Sequence, residues 1–276
     1  RAHERAAVAA ARAAYLAGFS ATSNLAAGEL YGIPTRGTAA HSFTLAHDSE
    51  EEAFAAQIRT MGSGTTLLID TFDMVKGVER AIAVGGKNLG AVRIDSGDLP
   101  VVVSHVRAHL DQLGATATKI VVTNDLNEHT IAGLRGAPVD VFGVGTSVVT
   151  GSGHPAAGLV YKLVARADDD GSWVPVAKKS SDKAHHAGAK SAFRVLQAGV
   201  ATGDALVVGE GAPPEGSRPL SHDLMVEGEV SDSALQPELL SRARAHHRDA
   251  IAELPDTAFS LSPGDPSFSA FVRGEG

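Results

Sequence analysis

The 276-residue sequence contains no cysteine, and that absence excludes structural disulfides, thiolate zinc sites, iron–sulfur clusters and thiol nucleophiles together. It also lacks an excess of positive charge: the formal net charge is −8, and no basic stripe is present of the kind that neutralises nucleic-acid phosphates. A small, locally basic phosphate site stays open. No run approaches the roughly 18 to 20 apolar residues of a membrane helix. Residues 1–16 carry three arginines and a glutamate instead of a signal-peptide core, so the chain is expected to be soluble and cytoplasmic. What is present, 43% hydrophobic and 20% charged residues, suffices for one large core or two smaller ones and excludes a disulfide miniprotein or a disordered tail.

An initiator methionine is missing as well. Arg1 to Leu16 already reads as helix, with Ala6, Ala10, Ala13 and Ala14 at helical spacing and Gly18 as the stop. A chain that opens inside an element is expected to lack an upstream segment.

From Thr65 to Thr146 short apolar runs alternate with amphipathic stretches. Thr66–Ile69, Leu89–Ile94, Lys119–Val122 and Val139–Phe142 read as buried strands. Between them lie a helix capped by Asp73 and ended by Gly85-Gly86, a helix from Leu99 to Leu113 with Pro100 in its first turn, and a short helix from Asn127 to Leu134. Strands and helices in this alternation make βαβ units and a parallel sheet, so the fold class is α/β. Upstream, strand-and-turn segments at Gly18–Asn24 and Pro34–His41 flank a helix over Leu25–Tyr31, and Ser49-Glu-Glu-Glu52 starts a helix that runs to Met61. Downstream, Leu159–Val164 and Trp173–Ala177 read as two strands joined by Asp168-Asp-Asp-Gly171. A boundary is expected near Gly153, and one helix over Ser233–Leu254 in the Pro-, Gly- and Ser-rich tail.

The chemistry concentrates at the strand ends. Each apolar run passes into small or polar residues: Asp70, Thr71 and Asp73; Asp95-Ser96-Gly97-Asp98; Thr123, Asn124 and Asp125; Gly143-Val-Gly145-Thr146. Ligands of barrels and open α/β sheets sit at these carboxyl ends, so the four ends describe an active-site rim with Asp70, Asn124 and Asp125 facing substrate. In Phe142-Gly-Val-Gly-Thr-Ser147 the glycines let backbone N–H groups approach a phosphate, although a plain glycine turn has the same spelling. Asp95 and Asp98 have a spacing that suits ribose hydroxyls or Mg²⁺, with Asp98 expected to cap the following helix and Asp95 to contact ligand. Arg93 sits in an apolar strand and requires an anionic partner, either a carboxylate of the protein or a substrate phosphate. Among twelve histidines, His41 alone follows a small-residue segment and has a hydroxyl beside it, Ser42; it is either catalytic or a satisfied loop histidine. The basic tract Lys178–Lys183, with Lys190 and Arg194, is either a solvated face or an arm that reaches polyphosphate.

Five ordered motifs carry a family resemblance: Gly37-Thr-Ala-Ala-His-Ser-Phe43, Leu68-Ile-Asp-Thr-Phe-Asp73, Arg93-Ile-Asp-Ser-Gly-Asp-Leu99, Val121-Val-Thr-Asn-Asp-Leu-Asn127 and Phe142-Gly-Val-Gly-Thr146. Their order and spacing resemble nicotinate phosphoribosyltransferases, from Arg1 to about Arg194, with a looser match beyond Gly203. The resemblance implies an irregular, TIM-like α/β barrel of the type II phosphoribosyltransferases over residues 1–152. It implies part of a second, mostly β domain over 153–202 and a loop and helical tail over 203–276. The implied reaction joins nicotinate to 5-phosphoribosyl-1-pyrophosphate, giving nicotinate mononucleotide and pyrophosphate for NAD salvage, with ATP as co-substrate and Mg²⁺ as cofactor.

On the family pattern His41 matches a transiently phosphorylated histidine, and Gly143, Gly145 and Thr146 match the 5′-phosphate cradle. Asp95, with Ser96 and Gly97, falls near the ribose hydroxyls, and Arg93 near the substrate anions. The Phe19–Asn24 loop, which holds Ser20 and Thr22, matches a stretch beside the pyridine ring; some relatives carry an acid where this chain has Ser20. Arg1 matches the second member of an arginine pair whose partner is absent here. The resemblance further implies a homodimer, no nucleic-acid or membrane partner, and inactivity of the 276 residues alone. A nicotinamide- or quinolinate-type enzyme, or an inactive nucleotide-binding paralogue, remains the alternative.

Overall fold

Four of the apolar runs form one parallel sheet: β1 (Thr66–Leu68), β2 (Ala91–Ile94), β3 (Lys119–Val122) and β4 (Val141–Phe142), hydrogen-bonded in the order β1-β2-β3-β4. Strand order that follows chain order without reversal is an arc of a barrel; a doubly wound sheet reverses at its switch point. The registers place Leu68 beside Arg93, Arg93 beside Val121, and Val122 beside Phe142. The computed structural model describes residues 2–154, 156–178, 185–230 and 239–274.

The chain divides into two compact units, one of Arg1–Tyr15 with Phe19–Ala156, the other of Leu16–Gly18 with Ala157–Gly276. The first unit opens with α1 (Glu4–Leu16), followed by α2 (Leu25–Tyr31), α3 (His41–Leu45) and α4 (Glu50–Met61). Helices α5 (Met74–Gly85), α6 (Leu99–Gln112) and α7 (Glu128–Gly133) then connect the strands, and α8 (Thr146–Val149) follows β4. Local chemistry sets the boundaries. Ser49 caps α4 by accepting from Glu52 N–H, Asp73 caps α5 from Lys76 N–H at 2.9 Å, and Asn127 forms a capping box with Thr130. Asp98 occupies the N-cap position of α6, but its side chain makes no capping bond; only its carbonyl accepts, from Val101 and Val102 N–H. Gly37–Ala40, expected as a strand, is extended without a ladder: the sole bridge nearby joins Thr22 and Thr35, and helix α3 begins at His41 itself.

The alternation of each strand separates two faces. Leu67, Ile69, Val92, Ile94, Ile120 and Val122 pack with Phe54 of α4, Val78 and Ile82 of α5, and Val103, Val106 and Leu110 of α6. Each such fully buried aliphatic side chain contributes roughly 1.5–3 kcal/mol. Helix α5 comes close enough to the end of β1 that a Cβ on Gly77 would collide with the carbonyl oxygen of Ile69. That contact fixes the path of the next two residues, Asp70 and Thr71.

The second unit is mostly β. Strands β5 (Ala165–Ala167) and β6 (Trp173–Pro175) form one hairpin, β10 (Met225–Val226) and β11 (Glu229–Val230) another, and β7 (Lys190–Gln197), β8 (Val200–Val208), β9 (Ser217–Pro219) and β12 (Ser269–Arg273) form a sheet in the order β12-β8-β7-β9. The first hairpin is shorter than the sequence predicts. Leu159–Val164 precedes it outside any strand, and beyond Pro175 one further bond, from Val176 N–H to the Val164 carbonyl at 2.8 Å, ends the pairing. The division expected at residues 202/203 falls inside β8. Helix α9 (Leu239–Ala252) lies within the expected Ser233–Leu254 span, whose first residues, to 238, are outside the described set.

Candidate active site

The site assembles on the strand face opposite the aliphatic core, and Arg93 is its centre. Alternation along β2 sends Val92 and Ile94 into the core and leaves Arg93 on the other face. Its guanidinium donates from Nε to Thr123 Oγ1 at 3.0 Å and from Nη1 to Thr38 Oγ1 at 2.6 Å and the Ala39 carbonyl at 3.4 Å. Nη2 pairs with Asp95 Oδ1 at 3.2 Å. Four of the five N–H groups are thereby engaged, and one on Nη2 remains for an anion. The anionic partner that the sequence required is thus a carboxylate of the protein, with one donor to spare.

Asp95 links Arg93 to His41. Its Oδ1 accepts from both Thr123 Oγ1 and Arg93, and its Oδ2 lies 3.6 Å from His41 Nε2. Burial opposes ionisation of Asp95, but the Thr123 hydrogen bond, the Arg93 guanidinium and the charge of His41 together outweigh it and hold the carboxyl below the usual aspartate range. His41 is the first residue of α3, and its Nδ1 meets Thr71 Oγ1 at 3.1 Å. The ring therefore bridges two strand ends, with a hydroxyl on one edge and a carboxylate on the other.

Asp70 braces the same loop. Its Oδ2 accepts from Asp95 N–H at 2.8 Å and from Ser96 Oγ at 2.6 Å, while Oδ1 is buried with no hydrogen-bond partner. Gly97 has φ +87° and turns the chain between Ser96 and Asp98, where a side chain would be strained. Asn124 and Asp125 adopt positive φ, 79° and 46°, at the exit of β3; these two residue types tolerate that region best. At the end of β4, a Cβ on Gly143 would stand 2.6 Å from Thr123 Cγ2, so glycine is what admits Thr123 to its place between Arg93 and Asp95. Gly145 has open space around it and precedes Thr146, the first residue of α8.

The structure thus brings His41, Arg93, Asp95, Asp70 and Ser96 into one bonded network. Thr22 is engaged locally: its N–H donates to the Pro34 carbonyl at 3.0 Å, and its Oγ1 accepts from Asn24 N–H at 3.1 Å. Ser20 and Ser42 are exposed and have no side-chain hydrogen bond to the network. Arg1 lies outside the described residues, as do 179–183 of the basic tract. Of that tract's neighbours, Arg194 is not free for phosphate, since it forms a two-pronged pair with Asp204 at 3.0 and 3.2 Å, and Lys190 donates to the Gly188 carbonyl at 2.6 Å. The sequence places Thr71 and Thr123 on the strand-end rim without a role and assigns none to Thr38 either; all three bond to the network. Their one signal was a hydroxyl next to a strand end or a glycine. No group of three or more His, Cys, Asp or Glu able to hold a metal exists among the described residues.

No family model matches the chain. It is 49% identical over 279 residues to nicotinate phosphoribosyltransferase pncB1 of Mycobacterium tuberculosis, covering 97% of this chain and 60% of that relative. It is 42% identical over 207 residues to nicotinate phosphoribosyltransferase of Bacillus subtilis, covering 71% of this chain and 42% of the relative. Among solved structures, human nicotinic acid phosphoribosyltransferase superposes with a TM-score of 0.72 over 95% of this chain and 64% of its own, at 23% identity, a likeness of fold. No helix among the described residues is long and apolar enough to cross a membrane.

Proposed function

Because the chain belongs to the nicotinate phosphoribosyltransferase family and spans about 60% of the length of the mycobacterial relative it matches at 49% identity, we propose that it carries the strand-end machinery of that reaction in a cytoplasmic homodimer. Its α/β fold is that of the type II phosphoribosyltransferases. In the proposed reaction the ring nitrogen of nicotinate forms a bond to C1′ of phosphoribosyl pyrophosphate. The C1′–oxygen bond breaks, and its electron pair leaves on pyrophosphate. ATP is the co-substrate, and its γ-phosphoryl passes to His41 as ADP departs. The observation that carries this reading is the His41–Asp95–Arg93 network at the carboxyl ends of parallel strands.

Each residue has a task that follows from its surroundings. A glycosyl transfer through an oxocarbenium-like state needs positioning and charge stabilisation more than proton transfer. Asp95, kept ionised, accepts from ribose hydroxyls on its Oδ2 side and offsets positive charge at C1′. Arg93, clamped at four donors, presents the fifth to a substrate phosphate without a rotamer search. Gly145 and Thr146 offer backbone N–H groups and a hydroxyl to the 5′-phosphate, whereas Gly143 donates its N–H to the Val122 carbonyl at 2.8 Å and serves by its lack of a side chain; Asn124 and Asp125 stand on the adjacent strand end. Ser20, Thr22 and Ser42 lie on the segments that would border the pyridine ring and the histidine. Phosphate on His41 adds charge and acceptor oxygens between the ends of β1 and β2, as a switch on substrate affinity requires.

The donor set fits Mg²⁺ held mainly by substrate. Asp70 Oδ1 is an unpartnered carboxylate oxygen, and this cation takes one or two carboxylates together with phosphates and waters rather than an all-protein cage. Bound beside Asp70, it would neutralise charge on the pyrophosphate.

The test is a product assay of the full-length protein, with any sequence that flanks these 276 residues, given phosphoribosyl pyrophosphate and nicotinate, nicotinamide or quinolinate side by side, with and without ATP. Nicotinate mononucleotide and pyrophosphate in equal amounts, increased by ATP, is the expected outcome. Preference for either other pyridine overturns the proposal.

A further inference from the structure

We propose that Thr71 is a positioning residue that sets the tautomer of His41, an inference that rests on the reading of His41 as phosphoryl acceptor. Thr71 lies just beyond β1 on the segment whose path is fixed by the close approach of Gly77 to Ile69. Its Oγ1 is 3.1 Å from Nδ1 of His41, and the ring's other nitrogen, Nε2, is 3.6 Å from Asp95 Oδ2. The two nitrogens meet partners of different chemistry. A carboxylate only accepts, whereas a threonine hydroxyl donates or accepts according to its rotation.

Asp95 is held in its charged form by Thr123 and Arg93. The proton of the neutral ring therefore belongs on Nε2, toward the carboxylate, and the Thr71 hydroxyl donates to the lone pair of Nδ1. No other hydrogen bond of Thr71 Oγ1 occurs among the described residues, so nothing competes for its proton. Packing alone does not hold the ring, since the His41 side chain keeps 40% of its exposure. Nδ1, the nitrogen with the lone pair, is the one that attacks the γ-phosphorus: the N–P bond forms as the P–O bond to ADP breaks with its electron pair on ADP, the proton stays on Nε2 facing Asp95, and the Thr71 hydroxyl turns from Nδ1 to a phosphoryl oxygen. Without the hydroxyl, rotation about Cβ–Cγ exchanges the two edges, and Nδ1 loses its fixed place.

The test uses the protein with isotope-labelled histidine in alkaline buffer, where imidazoles are neutral. A long-range proton–nitrogen correlation spectrum reads each ring, and the His41 signals are those missing from His41→Asn. The expected wild-type ring carries its proton on Nε2, with the Nδ1 resonance displaced from the free-acceptor position by the hydroxyl. Thr71→Val, which keeps the shape without the hydroxyl, should return Nδ1 to the free position, and Thr71→Ser should restore the displacement.

Transfer of radiolabel from ATP to His41 is the second readout. It should slow roughly five- to tenfold in Thr71→Val, the scale of one hydrogen bond, and recover in Thr71→Ser. A proton found on Nδ1, or a valine variant equal to wild type in either readout, overturns the role of Thr71. Labelling that survives in His41→Asn overturns the phosphohistidine reading itself, and the role of Thr71 with it. Labelling lost in His41→Asn but complete in Thr71→Val overturns the role of Thr71 alone.

Discussion

Asp95 faces His41 with one carboxylate oxygen, 3.6 Å from Nε2, and Arg93 with the other, 3.2 Å from Nη2. One charge thus orients a titratable ring and a permanent cation, and both depend on its sign. Asp95→Asn keeps the volume, removes the charge and turns one acceptor into a donor aimed at Arg93 or His41. Affinity for phosphoribosyl pyrophosphate should fall by roughly tenfold to a hundredfold, the scale of a hydrogen bond to a charged group. Titration calorimetry with phosphoribosyl pyrophosphate measures it, and unaltered affinity would remove Asp95 from contact with the ribose.

Gly143 controls the same network from β4. A methyl group there meets Thr123 Cγ2 at 2.6 Å, and Thr123 cannot retreat without releasing Arg93 Nε and Asp95 Oδ1. Gly143→Ala should cost about 1–3 kcal/mol of stability, as overpacking does, and lower catalytic efficiency along with it. Gly145→Ala is the control for stability alone, because nothing lies within 4 Å of its Cβ position. Equal melting temperatures for the two variants would show that the Thr123 contact is not what Gly143 serves.

The parallel sheet was legible in the sequence because each strand is an apolar run bounded by a capping residue or a glycine, and Asp73, Ser49 and Asn127 cap where their spacing predicts. The strand-end rim was legible for the same reason: polarity changes abruptly after Ile69, Ile94 and Val122. What the sequence could not convey was side-chain pairing across strands. Arg93 asked for an anion, but only the three-dimensional register brings Thr38 and Thr123 to its donors and ties Asp95 to both Arg93 and His41. The position of His41 at the start of a short helix was missed too, since Gly37–Ala40 spells an extended segment with no neighbouring strand to pair it. Family resemblance supplied the role of His41; periodicity did not.

Glu50 opens α4 with its carboxyl buried against Arg80, whose Nη1 lies 3.1 Å from Oε2, while Oε1 has no partner. Burial raises its pKa above the usual glutamate range; Arg80 pulls the other way without cancelling this, and Glu51 and Asp70 add to the rise. A raised folded value means a contribution fully present below the unfolded pKa and lost as pH climbs through the folded one. Glu50→Gln cannot ionise, so its melting temperature relative to wild type should improve as pH rises from the ordinary glutamate range toward neutrality. Thermal melts of both proteins across that range test it, and a constant difference would mean that Glu50 titrates as it does in the unfolded chain.

Glu253 behaves with the opposite sign in the second unit. Directly after α9 it receives Arg218 of β9 on both oxygens, with Nε at 2.8 Å from Oε1 and Nη2 at 2.5 Å from Oε2, and its own carbonyl accepts from Ala201 N–H of β8 at 2.7 Å. The Arg218 hydrogen bonds and charge hold its carboxyl below the usual glutamate range, with burial opposing them. The stabilisation is therefore present above the ordinary glutamate pKa and lost as pH falls through the depressed folded value. Arg218→Ala should cost about 1 kcal/mol at neutral pH, the upper end for a partly exposed pair with good geometry, and the cost should vanish in acid. Amide exchange along α9 gives the local readout: faster exchange at neutral pH in the variant, converging with wild type at low pH, is expected. Unchanged exchange at neutral pH would mean that the Ala201 bond and packing hold the helix end without the ion pair.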